Sequence, residues 1–104
     1  MLNFLKSLFR SAPPVDLSEV MTRKPYLVDV RTVAEYAYGH PRGSVNIPIQ
    51  QLASNIQKFK GKKDIIVFCR SGNRSNQAKI LLESRGISNI IDAGPWENVA
   101  KYTG

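Results

Sequence analysis

The segment Ile65-Ile66-Val67-Phe68 narrows the possible folds more than any other, because it holds four consecutive β-branched or aromatic residues and no polar side chain. A strand of that composition offers no face to water. It must run through the middle of a sheet that is covered on both sides. Residues 75–85, which follow, place Ala78, Leu81 and Leu82 on one helical face and stop at Gly86. Tyr26-Leu27-Val28-Asp29-Val30 and Ile90-Ile91 read as further short strands, and Val45-Asn46-Ile47, closed by Pro48, as a brief one. Strands alternating with helices at this spacing predict an α/β fold, a three-layer α/β/α arrangement around a small, mostly parallel central sheet.

The remaining helices announce themselves by their caps and spacing. Asp16 with Glu19, and Thr32 with Glu35, stand three apart in capping-box spacing, predicting short helices to about Arg23 and about Tyr38. Ile49, Leu52, Ala53, Ile56 and Phe59 share one helical face, and residues 96–102 form a terminal helix. Gly39-His40-Pro41-Arg42-Gly43 is turn chemistry, and the lysine cluster around Gly61 is a solvated loop.

At the amino end, Met1, Leu2, Phe4, Leu5, Leu8 and Phe9 recur at helical spacing with Lys6 and Arg10 between them. Residues 1–12 thus read as an amphipathic arm and residues 13–104 as one domain, with Pro13-Pro14 between. The arm is too short to span a bilayer and makes a poor secretory signal. Packing on its own domain is the favoured reading, with membrane contact through Met1 to Arg10 the less favoured alternative. Fifteen Lys and Arg against eight Asp and Glu give a net charge of +7, a field that attracts anions. No nucleic-acid-binding motif accompanies the charge, so the expected anion is a small substrate or an acidic partner rather than nucleic acid. The single cysteine forbids an intrachain disulfide and any metal site of paired thiolates, and a lone free thiol points to the cytoplasm.

That cysteine, Cys69, ends the central strand, and in open α/β sheets ligands bind beyond the carboxyl ends of strands. Arg70, Ser71, Gly72, Asn73 and Arg74 form a short loop before a helix beginning near Ser75. Gly72 and Asn73 suit the left-handed backbone needed to curl amides around one point. Converging amides, a helix amino terminus and two guanidinium groups all favour a thiolate, and the same donors would hold an anionic substrate against it.

The string Cys69-Arg70-Ser71-Gly72-Asn73-Arg74-Ser75 resembles the active-site loop of the rhodanese family. Asp29-Val30-Arg31, Glu35-Tyr36, Gly39-His40, Gly43-Ser44-Val45-Asn46-Ile47-Pro48 and Asp92-Ala93-Gly94 with Trp96 are similar to the family's other signatures, in the expected order. The resemblance implies a sulfurtransferase. Cys69 would take a sulfane sulfur from a donor such as thiosulfate as a persulfide and pass it to cyanide or a thiol. The amides of Arg70, Ser71, Gly72, Asn73, Arg74 and Ser75 would cradle the terminal sulfur, and Arg70 and Arg74 would face the anionic donor. No metal or organic cofactor is implied, and donor and acceptor, whether thiol or protein, are external.

Two rivals share these residues. A non-enzymatic sulfur-relay or protein-binding module would use the same cysteine on a docked partner. Phosphatases that resemble rhodaneses use a longer Cys-x5-Arg loop, but six positions after Cys69 stands Ser75, so the loop is sized for sulfur. A triad of Cys69 with His40 and Asp29 is tempting, but pairing of Asp29 with Arg31 and a turn role for His40 are the plainer expectations. Trp96 is expected to be a core anchor.

Overall fold

The computed structural model describes residues 15–104, so the expected arm at residues 1–12 lies outside the described residues. Four parallel strands form one sheet in the order β2-β1-β3-β4: β1 is Tyr26–Asp29, β2 Val45–Asn46, β3 Ile65–Cys69 and β4 Ile90–Pro95. All five residues of β3 are buried, as their apolar side chains require of a strand with neighbours on both edges.

Helices cover both faces. On one side lie α3 (Asn73–Ser84) and two 3-10 turns, Ile49–Gln51 and Ala53–Phe59, closing a layer built on Val28, Val67, Leu52, Phe59, Ala78 and Leu82. On the other, α1 (Ser18–Met21) and α4 (Glu97–Thr103) pack over Leu27, Ile66, Phe68 and Ala93 through Leu17, Val20 and Val99. The short α2 (Val33–Tyr38) buries no residue and carries the expected Thr32–Glu35 capping box.

Three local expectations are corrected. Asp16 bonds the amide and hydroxyl of Ser18, and Glu19 reaches Arg23, so no capping box forms and α1 ends at Met21, short of Arg23. The continuous helix expected from Ile49 to Phe59 is instead two 3-10 turns kinked at Asn55. Ser54 and Asn55 side chains both donate to the Gln51 carbonyl there, competing with the helical ladder. The last strand continues through Asp92-Ala93-Gly94 to Pro95, where an irregularity in its register against Val67 and Cys69 accommodates the left-handed Gly94.

Candidate active site

Alternation along β3 sends Ile66 and Phe68 to one core layer and Ile65, Val67 and Cys69 to the other. Cys69 therefore faces the layer covered by α3, beneath the amino end of that helix. Gly72, at φ +102°, reverses the chain, a conformation that a side chain would strain. The turn brings two amides onto one sulfur: Gly72 N–H donates to Cys69 Sγ at 2.9 Å and Ser75 N–H at 3.3 Å. Ser75 Oγ lies 3.4 Å from the sulfur and donates to the Gly72 carbonyl at 3.1 Å, bracing the loop. Trp96 N–H donates to the Cys69 carbonyl at 2.7 Å, pinning the strand end to the start of α4.

The helix opens at Asn73 rather than near Ser75, because Gly72 alone makes the reversal; Asn73 has helical backbone, not the expected left-handed one. Arg70, Ser71 and Asn73 are exposed, whereas Ser75 is fully buried. Cys69 itself has 0% exposure, so its sulfur is covered by the loop that donates to it.

The two loop arginines part company. Arg74 grips Glu35 of α2 at both ends, Nη1 to Oε1 at 2.6 Å and Nη2 to Oε2 at 2.9 Å. The guanidinium, with the Thr32 amide, holds the Glu35 carboxyl down to about 2, and the same pairing raises Arg74. Arg70 instead lines an open depression of about 250 Å³ with Arg31, Glu35, Tyr38, Gly39, Trp96 and Glu97. Arg70, the residue after Cys69, is the one member of the loop on the wall of this depression.

The depressed Glu35 carboxyl stabilises the fold above its unfolded value of 4.5, and that contribution is lost as pH falls from there towards 2. Glu35→Gln is expected to cost about 1–2 kcal/mol at neutral pH, allowing for solvent screening, and to flatten the acid limb of a stability–pH profile. Urea titrations across that range check it; an unchanged acid limb would remove the pair's role.

Beneath the depression, Arg31 forms a buried pair with Asp29: Nε to Oδ1 at 2.9 Å and Nη2 to Oδ2 at 2.6 Å. Arg31 Nη2 also donates to the Gly39 carbonyl at 2.7 Å, and its guanidinium carbon sits 4.8 Å from the centroid of the Trp96 ring. His40 stacks on Tyr36, its Nδ1 2.7 Å from the Tyr36 carbonyl oxygen. Neither Asp29 nor His40 bonds to Cys69. Trp96 packs on the second core layer and also lines the depression, so it joins core and site. Sequence reasoning missed that second position, together with Tyr38 and Glu97. Among the described residues no group of three or more His, Cys, Asp or Glu side chains is placed to hold a metal ion.

The family model described as Rhodanese-like domain matches residues 13–100. The chain belongs to that family. This rhodanese domain is 32% identical over 75 residues to the thiosulfate sulfurtransferase PspE of Escherichia coli, covering 70% of this chain and 72% of PspE. A sulfurtransferase of Allochromatium vinosum is 29% identical over 92 residues, covering 88% and 81%. The solved human single-domain sulfurtransferase TSTD1 superposes with a TM-score of 0.68 at 27% identity, covering 90% of this chain and all of that one. The rhodanese fold of these relatives agrees with the parallel four-stranded sheet described above.

Proposed function

We propose that this rhodanese domain is a sulfurtransferase that carries a sulfane sulfur on Cys69. The observation that carries the reading is the convergence of the Gly72 and Ser75 amides on a lone cysteine sulfur at the end of the central strand. Two N–H dipoles aimed at one atom stabilise negative charge there, which a nucleophilic thiolate needs. The named sulfurtransferases among its relatives support the same chemistry.

With thiosulfate as donor, the Cys69 thiolate attacks the outer sulfur. A Cys69–sulfur bond forms, the sulfur–sulfur bond of thiosulfate breaks, and sulfite leaves with the bonding pair. Cyanide or an external thiolate then attacks the terminal sulfur and returns Cys69 as thiolate. With no second cysteine in the chain, the persulfide cannot resolve as an internal disulfide, so the acceptor is external. Because Cys69 has no exposed surface, this reading requires the loop that covers the sulfur to move when the donor enters. A thiol that works in its reduced state fits the cytoplasm.

In this reading Arg70 is the cation that meets the donor, while Arg74 is held by Glu35 and fixes the loop against α2. Arg70→Ala is expected to raise the KM for thiosulfate about three- to tenfold with little change in kcat, and to leave transfer from an uncharged persulfide donor unaffected. Steady-state assays with both donors check it. Equal losses on both would remove Arg70 from anion binding.

A further inference from the structure

The strands begin at the end of the molecule opposite Cys69. Two adjoining shallow depressions lie there, sharing Gly61 and Lys62; Lys60 and Arg85 line one, and Arg23, Lys24, Lys63 and Asp64 line the other. Six cations thus face two carboxylates: Asp64, which Arg23 engages at 3.1 Å, and Glu19, 3.3 Å from the same guanidinium. The other described residues hold seven Lys and Arg against six Asp and Glu. Four of the five excess positive charges of the described residues are therefore concentrated at this pole.

The chemistry of the pole selects among anionic partners. Four of its six cations are lysines, mobile point charges that suit a diffuse field of negative groups better than bidentate recognition. It offers no exposed aromatic for bases to stack on: Tyr26 is half-buried and Lys62 Nζ lies 4.7 Å from its ring centroid. Lys24 stands at φ +54°, a backbone state that glycine or asparagine adopts more readily, yet the position presents a cation. Residues 1–15 hold Leu2, Phe4, Leu5, Leu8 and Phe9 together with Lys6 and Arg10 and no Asp or Glu. An apolar anchor and a polybasic patch are the two weak signals that together hold a peripheral protein on a negatively charged bilayer.

We infer that the pole formed by Lys24, Lys60, Lys62, Lys63 and Arg85 docks this protein on an anionic lipid surface. The five residues of β3 put Cys69 about 15 Å from it, so the catalytic end faces away from the membrane and stays open to donor and acceptor.

Co-sedimentation of the full chain with phosphatidylcholine vesicles, with and without phosphatidylserine, tests the inference. Binding is expected only to the phosphatidylserine vesicles, and raised salt should release it. The triple variant Lys60→Glu, Lys62→Glu, Lys63→Glu should lower the partition at least about tenfold. A variant carrying Arg42→Glu, Lys79→Glu and Lys101→Glu has the same net charge but an intact pole, and should stay within about twofold of the parent. Melting curves verify that both variants fold, and the salt dependence of the parent needs no variant at all. Equal binding to neutral vesicles, equal losses in the two triple variants, or binding to an oligonucleotide with none to vesicles would each overturn the inference.

Discussion

Replacing Cys69 by serine is expected to lower thiosulfate–cyanide sulfur transfer at least about a thousandfold while leaving the melting temperature within a few degrees of the parent. The two expectations come from the same contacts. A serine hydroxyl is near the size of the thiol and can accept from the same Gly72 and Ser75 amides, so the buried position keeps its hydrogen bonds. It cannot form a persulfide. Because the chain has no other cysteine, no neighbouring thiol can substitute. Transfer that survives in the serine variant at a substantial fraction of the parent rate would place the chemistry elsewhere.

Asp29→Ala is expected to destabilise the fold by about 3–5 kcal/mol. Arg31 is 4% exposed, and without the carboxylate its cation stays buried with only the Gly39 carbonyl and the Trp96 face to compensate it. Asp29 also accepts from the Arg31 amide at 3.0 Å, so the turn leaving β1 loses its brace as well. The penalty belongs to the orphaned cation rather than to the pair. The double variant Asp29→Leu with Arg31→Met should therefore recover much of the loss. Urea denaturation of the single and double variants measures both quantities. A single-variant cost below about 1 kcal/mol would mean that the pair contributes little to holding the floor of the depression.

How far the sequence discloses this molecule depends on how local each determinant is. β3 was legible because a run of apolar β-branched and aromatic residues has one plausible place in a sheet. The Thr32–Glu35 box was legible because both partners sit within one turn. The same spacing misled at Asp16 and Glu19: full burial of Leu17 sets the chain's entry to α1, and Glu19 finds Arg23 instead. Periodicity over residues 49–59 counted apolar positions but was blind to the Ser54 and Asn55 side chains that divert the Gln51 carbonyl. At the loop, Cys69 and the turn at Gly72 followed from strand end and glycine chemistry. The Arg74–Glu35 pair spans 39 positions, and no short-range pattern shows that one loop arginine is neutralised while the other lines the depression.

Intact-mass measurement of the native protein after incubation with thiosulfate reads the proposed chemistry at the atom concerned. The expected result is a gain of one sulfur atom, removed again by cyanide and blocked by prior alkylation of Cys69. An unchanged mass, in a protein whose Cys69 alkylates only after unfolding, would show that the covered sulfur is a core side chain and that the amides around it serve structure alone.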